Sequence, residues 1–177
     1  MPFKTMSLSD PLVQGILASG YTAPTEIQSR AIPLVTAGKD IIACAQTGTG
    51  KTAAFVLPIL DRLQRQQNTK KKVIKVLILT PTRELTVQID KAIGGYGRFL
   101  PVRTAAVYGG VKIHGQLKAL NRGVDIVIAT PGRLIDHMQR KSIDFSHIEV
   151  LVLDEADRML DMGFIRDVKK IIADLPQ

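Results

Sequence analysis

The sequence predicts an α/β layered domain with a mainly parallel sheet. Short, continuous apolar runs alternate with longer helical patterns along all 177 residues. That is the pattern of strands buried on both faces between covering helices. A glycine-rich turn, Ala45-Gln46-Thr47-Gly48-Thr49-Gly50-Lys51-Thr52, separates one apolar run from a helical one. The unusual tetrapeptides fall just after strands, at the carboxyl ends where parallel sheets gather their ligands, which places them on one rim.

The elements follow in order. Ser9-Asp10-Pro11 starts a helix, a capping residue standing just before a first-turn proline, and the helix reaches Ala18 and stops at Gly20. Thr22 or Thr25 caps a second helix that reaches Ala37, with Gly38 as its stop and Pro33 expected to bend or break it. Asp40–Cys44 reads as a short buried strand, and Lys51 opens a helix that ends near Gln64. Arg65–Lys75 is polar and basic and reads as a solvated connection. Val76–Leu79 is the next strand, and a helix opening at Pro81–Leu85 fades at Gly94-Gly95. Further strands are expected at Arg103–Tyr108, Asp125–Ala129 and Glu149–Leu153. Helices are expected from Lys112 to Leu120, after Thr130-Pro131-Gly132-Arg133 to about Arg140, and from Ile165 to Asp174. No internal repeat or low-complexity segment interrupts this order.

The length suits one domain, 1–177, and 45% hydrophobic residues supply a core that is aliphatic, with no Trp and 5% aromatics. The single cysteine, Cys44, excludes an intramolecular disulfide framework, fits a reducing compartment and reads as a small buried hydrophobe. No apolar signal core or membrane-length segment is evident, so a cytoplasmic location is expected, or a nuclear one in a eukaryote. The net charge of +8 points weakly to a polyanionic partner. His114, His137 and His147 are scattered without spaced partners, so no zinc site is expected.

Residues 45–52 have the composition of a phosphate-binding loop. Gly48 and Gly50 let the backbone turn its N–H groups toward an anion. The helix start adds its positive dipole end. Lys51 supplies a point charge for the outer phosphates of a bound nucleotide, and the Thr52 hydroxyl can ligate Mg²⁺. The usual pattern begins with glycine, where this chain has Ala45. Asp154 ends the apolar run Val150–Leu153, the position of the metal-binding carboxylate in nucleotide hydrolases. Asp154 is expected to hold Mg²⁺, partly through water, and Glu155 to orient and deprotonate the attacking water.

Asp154-Glu155-Ala156-Asp157 spells D-E-A-D, and the whole chain resembles the first, RecA-like ATP-binding lobe of the DEAD-box RNA helicases. Ala45 is ordinary in that family. The resemblance implies that Gly20–Gln28 is an adenine-reading Q motif, spanning 3–28 with Phe3 as its upstream aromatic. Gln28 would bond the adenine edge, Thr25 support the loop and Tyr21 offer a stacking surface. Pro81-Thr82-Arg83-Glu84-Leu85, Gly109-Gly110 and Thr130-Pro131-Gly132-Arg133 resemble three RNA-contact motifs, with Thr86 where the family usually has alanine. Helix starts, small residues and two arginines suit a sugar-phosphate backbone, so RNA binding is expected to ignore sequence. Asp157 is implied to couple the ATP and RNA sides.

The resemblance also implies a second helicase lobe and a Ser-Ala-Thr motif, neither within the 177 residues. In such lobes the strand leading to Ser-Ala-Thr lies between the phosphate-loop strand and the strand ending at Asp154. Residues 41–43 and 150–153 are therefore expected to face an open slot. Nucleotide binding with almost no turnover and no unwinding is expected of these residues alone. Two other readings stand beside this one: a regulatory RNA-binding module without turnover, and a DNA helicase of the same superfamily.

Overall fold

A computed structural model describes residues 2–46, 48–66 and 73–176. Its helices are α1 (Asp10–Ala18), α2 (Glu26–Thr36), α3 (Lys51–Arg65), α4 (Arg83–Tyr96), α5 (Ile113–Asn121), α6 (Pro131–Gln139), α7 (Ala156–Asp161) and α8 (Ile165–Ala173). Its strands are β1 (Val76–Leu79), β2 (Thr104–Val107), β3 (Ile126–Ala129) and β4 (Val150–Leu153). The chain divides into two compact units, 1–69 with 91–102, and 70–90 with 103–177.

The second unit holds the sheet. All pairings are parallel and the strand order is β2-β3-β1-β4. The register is level across it: Leu79 stands opposite both Ala129 and Leu153, and Ala129 opposite Val107. All four strands therefore end on one line. The ladder continues a residue further, since Thr80, Thr130 and Asp154 donate N–H bonds to the carbonyls of Ala129, Val107 and Leu79 at 2.9–3.0 Å. β1 and β3 are fully buried and purely aliphatic, as central parallel strands require. Leu77, Leu79, Val107, Val127, Leu134, Met159 and Ile171 form the core around them. Here the expected α/β architecture with a parallel sheet is observed.

The first unit is helical. A 3-10 turn, Phe3–Met6, buries Phe3 beneath it, and α1 to α3 bury Leu12, Ile16, Ile32, Leu57 and Leu60. Asp61 is fully buried on α3 and ties the N-terminal segment down. Its carboxylate accepts from the Ser9 N–H and from Arg65 Nε at 2.6 Å each, while Arg65 also donates to the Ser7 carbonyl at 2.6 Å. α1 crosses the end of α4 at Gly15, where an added Cβ would lie 1.9 Å from the Tyr96 carbonyl oxygen.

Several expectations are corrected. Asp40–Cys44 is not a strand: it lacks regular structure, Ile42 is 98% exposed and Cys44 is exposed rather than buried. A parallel strand persists only where neighbours take its N–H and C=O groups, and among the described residues the first unit contains no other strand. In the second unit β4 is the sheet's edge and its side chains are only partly buried, with Leu153 39% exposed. α2 runs through Pro33 and α4 through Gly94-Gly95 without interruption, and α7 is an additional short helix. Of the basic connection 65–75, residues 67–72 lie outside the described set. Among the described residues no helix is long and apolar enough to cross a membrane.

The close approach at Gly15 sets a test. Gly15→Ala places a methyl group inside the Tyr96 carbonyl and is expected to cost at least about 1–3 kcal/mol, the range of core overpacking. Gly94→Ala meets nothing within 4 Å on helix α4 and is expected to stabilise by about 0.5–1 kcal/mol. Denaturant unfolding of the two variants checks both signs.

Candidate functional site: a glycine-loop clasp and a basic sheet rim

In the first unit the glycine turn is held from below by the start of α2. Thr25 caps α2 and its N–H donates to Gln28 Oε1 at 3.0 Å, the reciprocal half of a capping box. Gln28 Nε2 then donates to the Gly50 carbonyl at 3.1 Å, and Thr25 Oγ1 donates to the Thr49 carbonyl at 2.8 Å. Gln28 is 1% exposed, so this is a buried clasp, not a surface contact. Gly48 and Gly50 have φ of 86° and 90°, which only glycine adopts without strain. Gly50 has a second constraint: a Cβ there would lie 2.3 Å from Gln28 Nε2.

Gly50 is the N-cap of α3, so the free N–H groups of that helix start at the loop. Lys51 Nζ donates to the Ala45 carbonyl at 2.5 Å and Thr49 Oγ1 to the Gln46 carbonyl at 2.7 Å. The ammonium thus rests on a neutral oxygen of its own loop. A charged phosphate oxygen is the stronger acceptor for the same donor. Thr52 follows on the first turn of α3, and Thr47 lies outside the described residues. The donors present suit a phosphate group: a helix N-terminus, one lysine and a glycine turn in which a Cβ on Gly48 would meet nothing within 4 Å. Tyr21 does not stand free, since its ring meets Tyr96 edge-on at 5.6 Å between centroids. Burial, and then the Tyr21 hydroxyl beside it, raise the Tyr96 phenol well above its ordinary value.

In the second unit the level strand ends bring three of the expected motifs together. Thr80-Pro81-Thr82-Arg83 follows β1, Tyr108-Gly109-Gly110 follows β2, and Thr130–Arg133 follows β3. Arg83 is exposed and its guanidinium lies over the Tyr108 ring, 5.5 Å from the centroid. A Cβ on Gly110 would meet that guanidinium at 3.8 Å. Arg133 behaves differently: its side chain is 14% exposed, and Nη1 donates to the Val111 carbonyl at 3.1 Å and to Gln116 Oε1 at 3.3 Å. Its Nε faces Asp136 at 3.5 Å. Thr86 finds a purpose for its hydroxyl, bonded to Thr80 Oγ1 at 2.7 Å and to the Thr82 carbonyl at 3.0 Å beneath the Pro81–Arg83 turn.

Asp154 and Glu155 end β4 on the same line. Asp154 Oδ1 accepts the Glu155 N–H at 3.1 Å. Glu155 is the N-cap of α7 in the left-handed region, φ 50°, a conformation that costs a non-glycine residue about 1–3 kcal/mol. Its carboxylate accepts from Arg158 Nη1 at 3.1 Å, and Asp157 is exposed on the first turn of α7. Among the described residues no cluster of three or more His, Cys, Asp or Glu could hold a metal unaided. That composition is compatible with Mg²⁺, which keeps several waters and takes one or two protein ligands together with substrate phosphates.

Sequence reasoning missed the buried polar pair Gln116 and His137. Gln116 lies on the same face of α5 as Ile113 and Leu120, an apolar-facing position for a polar residue. His137 is fully buried on α6. Its Nε2 lies 3.0 Å from Gln116 Oε1 and its Nδ1 2.8 Å from Ser142 Oγ. Burial first, then the positive charge of Arg133, lowers the imidazole pKa below its ordinary 6.5; Arg140 adds to this and Asp136 opposes it.

That depression fixes a sign. Above pH 6.5 His137 is neutral whether the chain is folded or unfolded and contributes no slope. Below it the unfolded state takes up the proton first, so stability falls toward the lower folded pKa, at no more than about 1.4 kcal/mol per pH unit. Denaturant midpoints between pH 7.5 and 5 should fall more steeply for the unaltered chain than for His137→Gln.

A family model described as "DEAD/DEAH box helicase" matches residues 25–177. The chain is 46% identical over 176 residues to the ATP-dependent RNA helicase CshA of Limosilactobacillus reuteri, an alignment covering 99% of this chain and 35% of that protein. It is 45% identical over 177 residues to the DEAD-box ATP-dependent RNA helicase CshA of Streptococcus pneumoniae, covering 100% of this chain and 33% of the relative. A Bacillus cereus protein of the same description is 43% identical over 175 residues, covering 99% of this chain and 33% of the relative. The chain thus spans about a third of the length of the curated relatives it matches. With a family model covering most of its length, the chain belongs to the DEAD/DEAH box helicase family.

Proposed function

We propose that this chain is the ATP-binding, RNA-contacting lobe of an ATP-dependent RNA helicase, in which Mg²⁺-ATP hydrolysis is coupled to RNA binding and local duplex unwinding. The observation that carries the nucleotide half is the clasp of Gln28 and Thr25 on the glycine turn that bears Lys51. A glutamine oxygen has two lone pairs and its nitrogen two hydrogens. In the clasp Gln28 uses one of each, leaving one acceptor and one donor, the pattern that matches the adenine edge. The side chain is buried, so reading adenine requires the loop to shift off Gln28 as phosphate enters. Residues 45–52 bind the phosphates, with Lys51 exchanging the Ala45 carbonyl for a phosphate oxygen. Thr25 steadies the loop and Tyr21 borders the base.

Mg²⁺ supplies charge neutralisation at the phosphates when bound. Thr52 would ligate it directly and Asp154 through water. Glu155 positions the attacking water, which requires its carboxylate to be released from Arg158. Asp157 couples hydrolysis to the RNA side. Pro81, Thr82, Arg83, Gly109, Gly110, Thr130, Pro131, Gly132 and Arg133 form the RNA surface. They offer helix starts, backbone N–H groups and the exposed Arg83 cation, groups suited to a sugar-phosphate chain. Unwinding is assigned to the longer protein with its second lobe, and nucleotide binding without unwinding to these residues alone. A cytoplasmic setting suits such a protein.

Calorimetric titration tests the nucleotide half. ADP is expected to bind more tightly than GDP, Gln28→Ala to erase the preference, and Lys51→Ala to weaken both; equal affinities in the unaltered chain contradict the adenine assignment. Anisotropy with labelled RNA tests the other half. Affinity is expected to fall linearly with log salt and to the same extent for unrelated sequences. A strong preference for one sequence at fixed salt contradicts it.

A further inference from the structure

We infer that Gln116 is a positioning residue for RNA binding, a buried strut that locks the Gly109-Gly110 loop to the Thr130–Arg133 turn. The inference rests on the reading of that rim as the RNA surface. Its side chain is 7% exposed and three of its hydrogen-bonding positions are engaged. Nε2 donates to the Tyr108 carbonyl at 2.9 Å, while Oε1 faces Arg133 Nη1 at 3.3 Å and His137 Nε2 at 3.0 Å. The partners fix the orientation of the amide. A carbonyl can only accept and a guanidinium can only donate, so the nitrogen must face Tyr108 and the oxygen Arg133. His137 Nε2 must then carry a hydrogen; Nδ1 lies 2.8 Å from Ser142 Oγ, which itself donates to the His137 carbonyl at 3.0 Å.

Each partner of Gln116 belongs to an element that carries part of the rim. Tyr108 leads into Gly109-Gly110, and its ring lies beneath the Arg83 guanidinium. Arg133 closes the turn after β3 and also holds the Val111 carbonyl on the far side of the glycine pair. Gln116 and Arg133 therefore grip the loop 108–111 at both ends. His137 stands one helical turn beyond Arg133 and braces the oxygen that Arg133 uses. With its guanidinium turned inward, Arg133 serves as a connector between loops. Rigid spacing of backbone N–H groups is what sequence-blind recognition of a sugar-phosphate chain requires, and the strut sets that spacing.

A double-mutant cycle in the full chain tests this, read as affinity for a fluorescein-labelled single-stranded oligouridine at fixed salt. Gln116→Met removes the amide at similar volume and is expected to lower RNA affinity about tenfold, the factor one lost hydrogen bond to a charged group is worth. ADP affinity should stay within about twofold, a split that general destabilisation does not produce. Arg133→Ala should also weaken RNA binding, and the double variant should lose less than the product of the two single losses, because the two side chains share a bond and hold one loop. Losses that multiply, or a Gln116→Met chain that binds RNA normally, overturn the strut. Unchanged RNA affinity in Arg133→Ala overturns the RNA reading of the turn and the strut with it. If Gln116→Met does not fold, Gln116→Glu decides by amide hydrogen exchange. Its carboxylate still accepts from Arg133 and His137 but cannot donate to Tyr108, so exchange should quicken at 109–112 and stay unchanged at 132–135. Quickening at both segments, or at neither, overturns the proposal.

Discussion

The level register of four parallel strands is the constraint on which the rim depends. Because Val107, Ala129, Leu79 and Leu153 end side by side, the segments that follow must emerge at one height. No long loop is needed to bring Arg83, Gly110 and Arg133 near one another; the ladder does it. The same line carries Asp154 and Glu155 at the edge strand. Shifting one strand by a residue would turn its side chains to the other face of the sheet and move its loop off the line. The all-aliphatic composition of β1 and β3, buried on both faces, resists that slip through tight packing.

A second organising device is the use of glutamine as a two-sided connector. In the first unit Gln28 joins the backbone at the start of α2 to the carbonyl at the end of the glycine turn. In the second unit Gln116 joins the carbonyl of Tyr108 to the side chains of Arg133 and His137. Both are almost fully buried, where an unmade hydrogen bond costs about 1–3 kcal/mol, so each holds its loop in one geometry. Glutamine suits the task because one flexible side chain offers a donor and an acceptor without charge.

Much of this was legible in the sequence, and the limits are physical. Alternating apolar runs located all four observed strands to within about two residues, because buried parallel strands leave a local mark in composition. Asp40–Cys44 carries the same mark and forms no strand, since pairing depends on neighbours that composition does not reveal. The glycine turn was readable from residue type and spacing, and the rim motifs from their resemblance to those of the DEAD-box helicases. The clasp of Thr25 and Gln28 on Thr49 and Gly50 spans 24 and 22 residues, and the bond from Ser9 to Asp61 spans 52, separations at which a sequence pattern says nothing of contact. The edge-on contact of Tyr21 with Tyr96 is equally hidden, and it leaves Tyr21 44% exposed. The bonds of Arg133 to Val111 and Gln116 are likewise absent from any sequence pattern. A polar Gln116 on the apolar face of α5 was the signal that could have exposed the network.

The central claim is that nucleotide and RNA are taken by two distinct sets of residues, the clasped glycine turn and the level rim. Backbone amide chemical shifts of the isotopically labelled chain test it most directly, recorded with Mg²⁺-ADP and, separately, with single-stranded RNA. The account predicts that nucleotide moves the signals of Gln28 and of residues 48–52. RNA should move those of Thr82, Arg83, Gly109, Gly110, Gly132 and Arg133. Nucleotide shifts confined to the rim, or RNA shifts centred on residues 48–52, would contradict it.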